Sequence, residues 1–279
     1  MRVVSAAARR GQPLRGVCDG PTAIRRFLRG PQRHTTVDLE GSTGPWEDAA
    51  RVAAHVEALH REPGTAPVLV LGGDHSLSAG SVAATRRVYP HSKVVWIDAH
   101  ADVHTPRSSP SGNAHGMPLG ALCGRMPSGF HTLDPSQLTY VGLRDVDEDE
   151  ALWIDAQRRC GLRAYTVHDL RRRGVPAVVD AIRRDVASAA VHVSFDVDVL
   201  DPTLAPGTGT RVPAGLTLSE LAPLLDGLAA LNVVCLDVVE VNPDLDDHQC
   251  ATAKLAATVA MEILGTTPPR TSRRGGWQS

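Results

Sequence analysis

Lys93-Val94-Val95-Trp96-Ile97-Asp98-Ala99-His100-Ala101-Asp102 is the stretch that decides the fold. Its first half is a short, nearly continuous apolar run rich in β-branched residues. That composition suits a strand buried on both faces, as in a parallel sheet. Its second half turns acidic and histidine-bearing just where the strand ends. Asp98, His100 and Asp102 alternate with alanines, so in an extended segment their side chains share one side. Similar apolar runs cover residues 66–71, 138–143, 162–167, 191–195 and 232–241. Between the runs lie amphipathic stretches at 46–60, 78–88, 148–160, 175–189, 219–231 and 249–264; in the first, Ala49, Val52, Val56 and Leu59 fall at helical spacing. Strands alternating with helices predict an α/β fold with right-handed crossovers and one doubly wound, mostly parallel sheet.

The chain has 279 residues, a length that allows one large domain or two small ones. No internal repeat or linker divides it, so a single domain is expected over 1–265. Residues 266–279, with Pro268-Pro269, Arg273-Arg274 and Gly275-Gly276, read as a flexible tail. A 42% hydrophobic and 22% charged composition excludes a disordered chain. With 29 basic and 31 acidic residues the net charge is −2, so no basic field exists to hold nucleic acid or an anionic membrane surface. No apolar run approaches the ~20 residues of a membrane span, and the first ten residues lack the apolar core of a signal peptide. Five cysteines without CxxC spacing read as reduced thiols, and the cytoplasm is the expected location. Histidine is plentiful at twelve, against four Trp, three Tyr and three Phe.

Open parallel sheets bind ligands beyond the carboxyl ends of their strands. The residues after three of the apolar runs are Gly72-Gly73-Asp74-His75-Ser76, Asp98-Ala99-His100-Ala101-Asp102 and Asp196-Val197-Asp198. Carboxylates aimed together repel unless something positive sits among them. His75, Asp98, His100, Asp102, Asp196 and Asp198 are enough ligands for two divalent ions if carboxylates bridge. Oxygen-rich ligation with two imidazoles and no thiolate favours manganese, with iron, cobalt and nickel as alternatives. Two ions about 3.5–4 Å apart share a water and bring its pKa near neutrality, which points to a hydrolase. Asp74 is left open between ligand and cap of the helix starting near Ser76.

The first two of these motifs, and the third extended to Ser194-Phe195-Asp196-Val197-Asp198-Val199-Leu200-Asp201-Pro202, resemble the three signatures of the ureohydrolase family, which comprises arginase, agmatinase, guanidinobutyrase and relatives. Gly16-Val17-Cys18-Asp19-Gly20-Pro21 is similar to the family's N-terminal substrate-side loop, and the resemblance runs from about Gly16 to Leu264. It implies a three-layer α/β/α, arginase-like fold, a dimanganese centre with a metal-bridging hydroxide, release of urea from a guanidino group, and a trimeric or hexameric homo-oligomer. His75, Asp98, Asp102 and Asp196 match the ligands of one manganese, and His100 and Asp198 those of the other, with Asp98 and Asp196 bridging. Asp102 matches the acceptor of a hydrogen bond from the hydroxide. Glu240 matches the guanidinium-binding glutamate, a role suited to a carboxylate, and His115 matches the proton shuttle.

The substrate follows from smaller motifs. Ser111-Gly112-Asn113-Ala114-His115-Gly116 resembles the arginase branch, in which Ser111 and Asn113 would meet the substrate α-carboxylate. Asp147 matches the residue that receives the α-amino group, and Thr210 one on the active-site rim. These imply L-arginine or a close derivative as substrate. His104 departs, standing where arginases carry an asparagine. It could bind a carboxylate, reshape the pocket for guanidinobutyrate, agmatine, N-hydroxyarginine or peptidyl arginine, or be a displaced metal ligand. A non-catalytic binding protein on the same scaffold is the remaining alternative. His34, His55, His60, His91, His131, His168, His192 and His248 are expected on surfaces or helix faces.

Overall fold

The structure is a computed structural model that describes residues 1–64 and 66–265; the expected tail at 266–279 lies outside the described residues. Eight strands, β1 (Arg2–Ala6), β2 (Arg33–Thr36), β3 (Val68–Gly72), β4 (Lys93–Ile97), β5 (Leu138–Leu143), β6 (Arg163–Thr166), β7 (Val191–Asp196) and β8 (Val233–Val239), form one sheet in the order β2-β1-β3-β8-β7-β4-β5-β6. Every pairing is parallel. The helices are α1 (Gly20–Arg25), α2 (Pro45–Arg61), α3 (Ser78–Val88), α4 (Pro118–Leu122), α5 (Glu148–Arg158), α6 (Val167–Arg173), α7 (Val175–Val186), α8 (Leu218–Ala229) and α9 (Ala251–Ile263).

The period of two along each strand sends alternate side chains to opposite faces. Leu69 and Leu71 of β3, Val95 and Ile97 of β4, and Leu236 and Val238 of β8 pack into one core with α1 and α6 to α9. Their neighbours Val68, Val70, Cys235 and Val239 enter a second core with α2 and α3, and Val94 and Trp96 a third with α3, α4 and α5. Helices on both faces make this the expected three-layer sandwich. β1 and β2 and the short helices α1, α4 and α6 have no counterpart among the expected elements. β2 is an edge strand of four residues with none buried, so it lacks the apolar signal of its neighbours.

The strand order also locates the site. The chain leaves β3 at one side and resumes at β4, and only later inserts β7 and β8 between them. The carboxyl ends of β3, β8, β7 and β4 therefore border one switch region, where open sheets leave a crevice.

One histidine, His192, corrects the sequence reading, while His60 lies on a helix face as expected but faces inward. His192 lies within β7 and is fully buried, and His60, on α2, is only 7% exposed. The pairing partner of His192 on β8 is Cys235. Its Nδ1 meets Thr85 Oγ1 at 2.9 Å and its Nε2 meets Asp237 Oδ2 at 3.0 Å, while Ser81 donates to the same carboxylate oxygen at 2.6 Å. His60 Nε2 meets Thr85 Oγ1 at 3.2 Å, and Tyr89 packs edge-on against its ring. A buried polar patch thus joins α2 and α3 to the sheet, which apolar periodicity could not show. Burial, aided by His192 and Arg2, pushes the His60 imidazole down to about 4. The unfolded chain takes up that proton near 6.5 and the folded chain only near 4, so stability falls as pH drops through this window. In metal-free protein, His60→Gln is expected to flatten the decline of Tm between these pH values. An unchanged decline would place the acid sensitivity elsewhere.

Candidate metal centre and active site

Each sequence motif emerges at a strand end, as the periodicity requires. β3 runs into Gly73, whose backbone leaves no room for a side chain: a Cβ there would stand 1.8 Å from Ala8 O. This close approach turns the chain so that His75 enters the switch region. Asp74 does not join it. Its carboxylate accepts from Ser76 N at 3.1 Å and Gly11 N at 3.0 Å, which settles it as a cap.

His75 Nε2 meets Ser194 Oγ at 2.8 Å, and its ring stacks on Trp96 at 4.3 Å between centroids. Its Nδ1 faces Asp98 Oδ2 at 3.2 Å, Asp102 Oδ2 at 3.0 Å and Asp196 Oδ2 at 3.2 Å. None of the three meets this buried nitrogen in hydrogen-bond geometry. With the ring proton on Nε2 toward Ser194, a bare nitrogen lone pair and three carboxylate oxygens converge on one point. A cation fits there better than any proton arrangement, because one proton cannot serve three oxygens.

A second such point adjoins the first. His100 Nδ1 lies 3.0 Å from Asp198 Oδ2 and 3.4 Å from Asp98 Oδ1. Asp98 belongs to both groups, one with His75 and Asp196 and one with His100 and Asp198. Backbone donors aim the acids: His100 N holds Asp98 Oδ1 at 2.7 Å and Asp198 N holds Asp196 Oδ1 at 2.8 Å. Trp96 Nε1 donates to Asp98 Oδ2 at 3.1 Å, and Thr210 Oγ1 to Asp198 Oδ2 at 2.9 Å. Burial, with Asp198 and Asp98 beside it, pushes the Asp196 carboxyl well above the usual carboxylate range. Burial and Asp98 likewise push Asp102 up to about 6. Such crowding is the signature of a site built for positive charge. Asp102 has φ 51° and Glu240 φ 64°, left-handed backbone that costs about 1–3 kcal/mol per non-glycine residue and collects at functional sites.

Glu240 follows β8 and is 1% exposed. Its Oε1 accepts from His75 N at 2.8 Å and lies 3.2 Å from His115 Nδ1. Burial alone would lower the His115 imidazole, but the Glu240 carboxylate outweighs it and raises His115 to about 9. His115 is itself anchored through its backbone N to Gly11 O at 3.1 Å.

A cavity of about 320 Å³ is lined by His100, Asp102, His115, Asp196, Asp198 and Thr210 of this region and by no lysine or arginine; Glu240, His75 and Asp98 lie behind its lining. His104, Ser111, Asp147 and Glu150 also line it. His104 Nε2 lies 3.0 Å from Asp147 Oδ2 and Nδ1 lies 3.2 Å from Ser108 Oγ, so both ring nitrogens have partners. Asp147 Oδ1 caps α5 by accepting from Glu150 N at 3.0 Å. Asn113 does not line the cavity, although Ser111 beside it does.

Sequence reasoning missed several participants. Ser194 and Trp96 each precede a ligand by two residues and share its face, a period-two signal that was available. Glu150 is the partner in an Asp-x-x-Glu capping box with Asp147, which the local pattern also shows. It is pushed up to about 8, chiefly by burial and then by Asp102. Arg144 donates to the carbonyls of Asp198, Val199, Leu200, Val212 and Pro213, tying the turn after β7 to the rim. Gln12 has no local signal at all.

Paired imidazole–carboxylate groups that share an aspartate, set at the carboxyl ends of a parallel sheet, define a metal-dependent hydrolase of the α/β class. Residues 2–265 match the model of the arginase family, and the chain belongs to that family. It is 40% identical over 210 residues to an arginase of Schizosaccharomyces pombe, covering 71% of this chain and 64% of that relative. It is 39% identical over 208 residues to an arginase of Staphylococcus aureus, covering 71% of this chain and 68% of that one. The alignments thus span about two thirds of these relatives' own lengths, and less than that of the first. The fold superposes on the crystal structure of arginase from Bacillus subtilis with a TM-score of 0.87 and 31% identity, covering 95% of this chain and 98% of that one.

Proposed function

We propose that residues 1–265 form one catalytic domain that hydrolyses the guanidino group of L-arginine, or a close derivative, to urea and an ornithine-type amine. The observation that carries this reading is the sharing of Asp98 between two imidazole–carboxylate groups beside a cavity lined by no lysine or arginine. His75, Asp98, Asp102 and Asp196 would hold one manganese ion, and His100, Asp98, Asp196 and Asp198 the second. Bound divalent cations there supply the Lewis acidity that brings a water's pKa near neutrality.

The chain's own residues do the rest. Glu240 binds the guanidinium through its carboxylate. Asp102 orients the attacking water by accepting its hydrogen bond. His115, protonated below about 9 because Glu240 faces its Nδ1, donates a proton from Nε2 to the departing amine. His115→Asn is expected to lower kcat about 100-fold or more with manganese content unaltered. An unchanged kcat would take the proton transfer away from this residue.

Manganese-loaded protein should release urea and ornithine from L-arginine; no urea from any guanidino compound would overturn the reading. The 3.0 Å approach of His104 to Asp147 favours a second one. With one carboxylate oxygen capping α5 and the other held by imidazole, Asp147 is less free to receive an α-amino group, which favours substrates such as guanidinobutyrate. A side-by-side kcat/KM comparison separates the two, an arginine preference above about 100-fold excluding the second. No helix among the described residues is long and apolar enough to cross a membrane. The five cysteines are all free thiols, which supports a reducing, cytoplasmic location. Family membership supports a homo-oligomer, and mass in solution tests it.

A further inference from the structure

Glu240 is already heavily engaged before any substrate arrives. Its Oε1 accepts from His75 N and faces His115 Nδ1, and its Oε2 accepts from Gln12 Nε2 at 2.6 Å. An ionised carboxylate offers about four lone-pair directions. Three are therefore used inside the protein, and the one left for a guanidinium lies on Oε2, the oxygen that Gln12 holds. Gln12 is 9% exposed and 228 residues distant from Glu240 in sequence.

The segment carrying Gln12 is fixed from both sides. Gly11 N donates to Asp74 Oδ2 at 3.0 Å, and Gly11 O accepts from His115 N at 3.1 Å. A Cβ on Gly11 would stand 2.2 Å from Asp74 Oδ1, so any larger residue would have to displace the Asp74 side chain. Two consecutive residues thus hold the backbone of the proposed proton donor and the carboxylate that faces it. A neutral amide donor can fix a carboxylate plane without adding charge to compete for the anion, which an arginine or lysine in its place would do.

We propose that Gln12 is a positioning residue for guanidinium binding: its amide N–H fixes the Glu240 carboxylate so that the remaining Oε2 lone pair faces the substrate. The proposal rests on the guanidino-hydrolase reading given above. Gln12 acts through Glu240 and takes no part in the chemistry, so its removal should weaken binding more than turnover.

The test compares Gln12→Met, which keeps the side-chain volume and loses the hydrogen bond, with Gln12→Glu, which sets a carboxylate against Glu240. Gln12→Met is expected to raise KM for the guanidino substrate about 10- to 100-fold, the loss of one charge-assisted hydrogen bond, with kcat changed less than about 3-fold. Equilibrium binding of L-arginine to the metal-free chain should weaken by a similar factor, with Tm and manganese stoichiometry preserved. Gln12→Glu should weaken binding further at neutral pH and regain part of it under mildly acidic conditions, where one proton can be shared between the two carboxylates. KM and binding within about 2-fold of the parent in both variants, or a fall in kcat at constant KM, would overturn the proposal. If Gln12→Met does not fold, Gln12→Asn, which keeps the amide but withdraws it from Glu240 Oε2, takes its place with the same expected rise in KM. A parent chain that binds and hydrolyses no guanidino compound would instead sink the underlying reading.

Discussion

Asp196→Asn is expected to take up no more than about one manganese per chain and to release urea at below about 1% of the parental rate, a loss of several kcal/mol of transition-state stabilisation. The substitution is chosen because it separates charge from shape. Asn keeps an oxygen where Asp196 Oδ1 accepts from Asp198 N, so the turn after β7 retains its cap. What disappears is one negative charge beside Asp98, Asp102 and Asp198. Metal-free protein should therefore become more stable while metal-loaded protein becomes less so. At this chain length each kcal/mol appears as about 2–4 °C in Tm. Metal analysis combined with melting curves at zero and saturating manganese reads both halves. A variant that binds two ions, or a metal-free Tm that falls, would contradict the charge-crowding account.

Glu240→Gln should lower kcat/KM for the guanidino substrate about 100-fold, the scale of one charge-assisted hydrogen bond to the guanidinium. The amide can still accept from His75 N through one oxygen, but its NH2 group then faces Gln12 Nε2, and donor opposes donor. The charge that holds His115 at about 9 is also removed. The alkaline limit of kcat should consequently move to lower pH, while manganese stoichiometry stays at the parental value. A pH–rate profile superimposable on the parent's would dissociate Glu240 from His115. A loss of metal would show that Glu240 supports the centre through His75 and not the substrate.

Much of the fold was legible because its strands are buried on both faces and its helices on one. β4, β5 and α3 occupy the expected residues, and β3, β7 and β8 differ from expectation only at their ends. β1 was not legible, because Arg2-Val3-Val4-Ser5-Ala6 is too short and mixed to stand out. Its strand character comes from lying between β2 and β3, a pairing fixed by contacts more than 30 residues away on both sides. His192 was misplaced for a related reason. A histidine in an apolar run looks like a tolerated surface residue until Asp237, Thr85 and Ser81 are seen to satisfy it.

The site divides in the same way. The six ligand candidates could be read locally: Asp98, His100 and Asp102, and Asp196 and Asp198, lie in two segments of period-two geometry, and His75 follows the apolar run of β3. The sequence by itself also determined that they end strands of a parallel sheet. The bridging place of Asp98 was expected from the resemblance; that Asp74 caps, that Asn113 stands off the cavity and that His104 engages Asp147 emerged from the packing of distant segments. Only the tertiary structure brought Gln12 to Glu240. These are contacts between segments tens to hundreds of residues apart, and local periodicity carries no information about which strand ends meet. That is set by the order in which β3, β8, β7 and β4 pair, with β7 and β8 inserted late into the middle of the sheet.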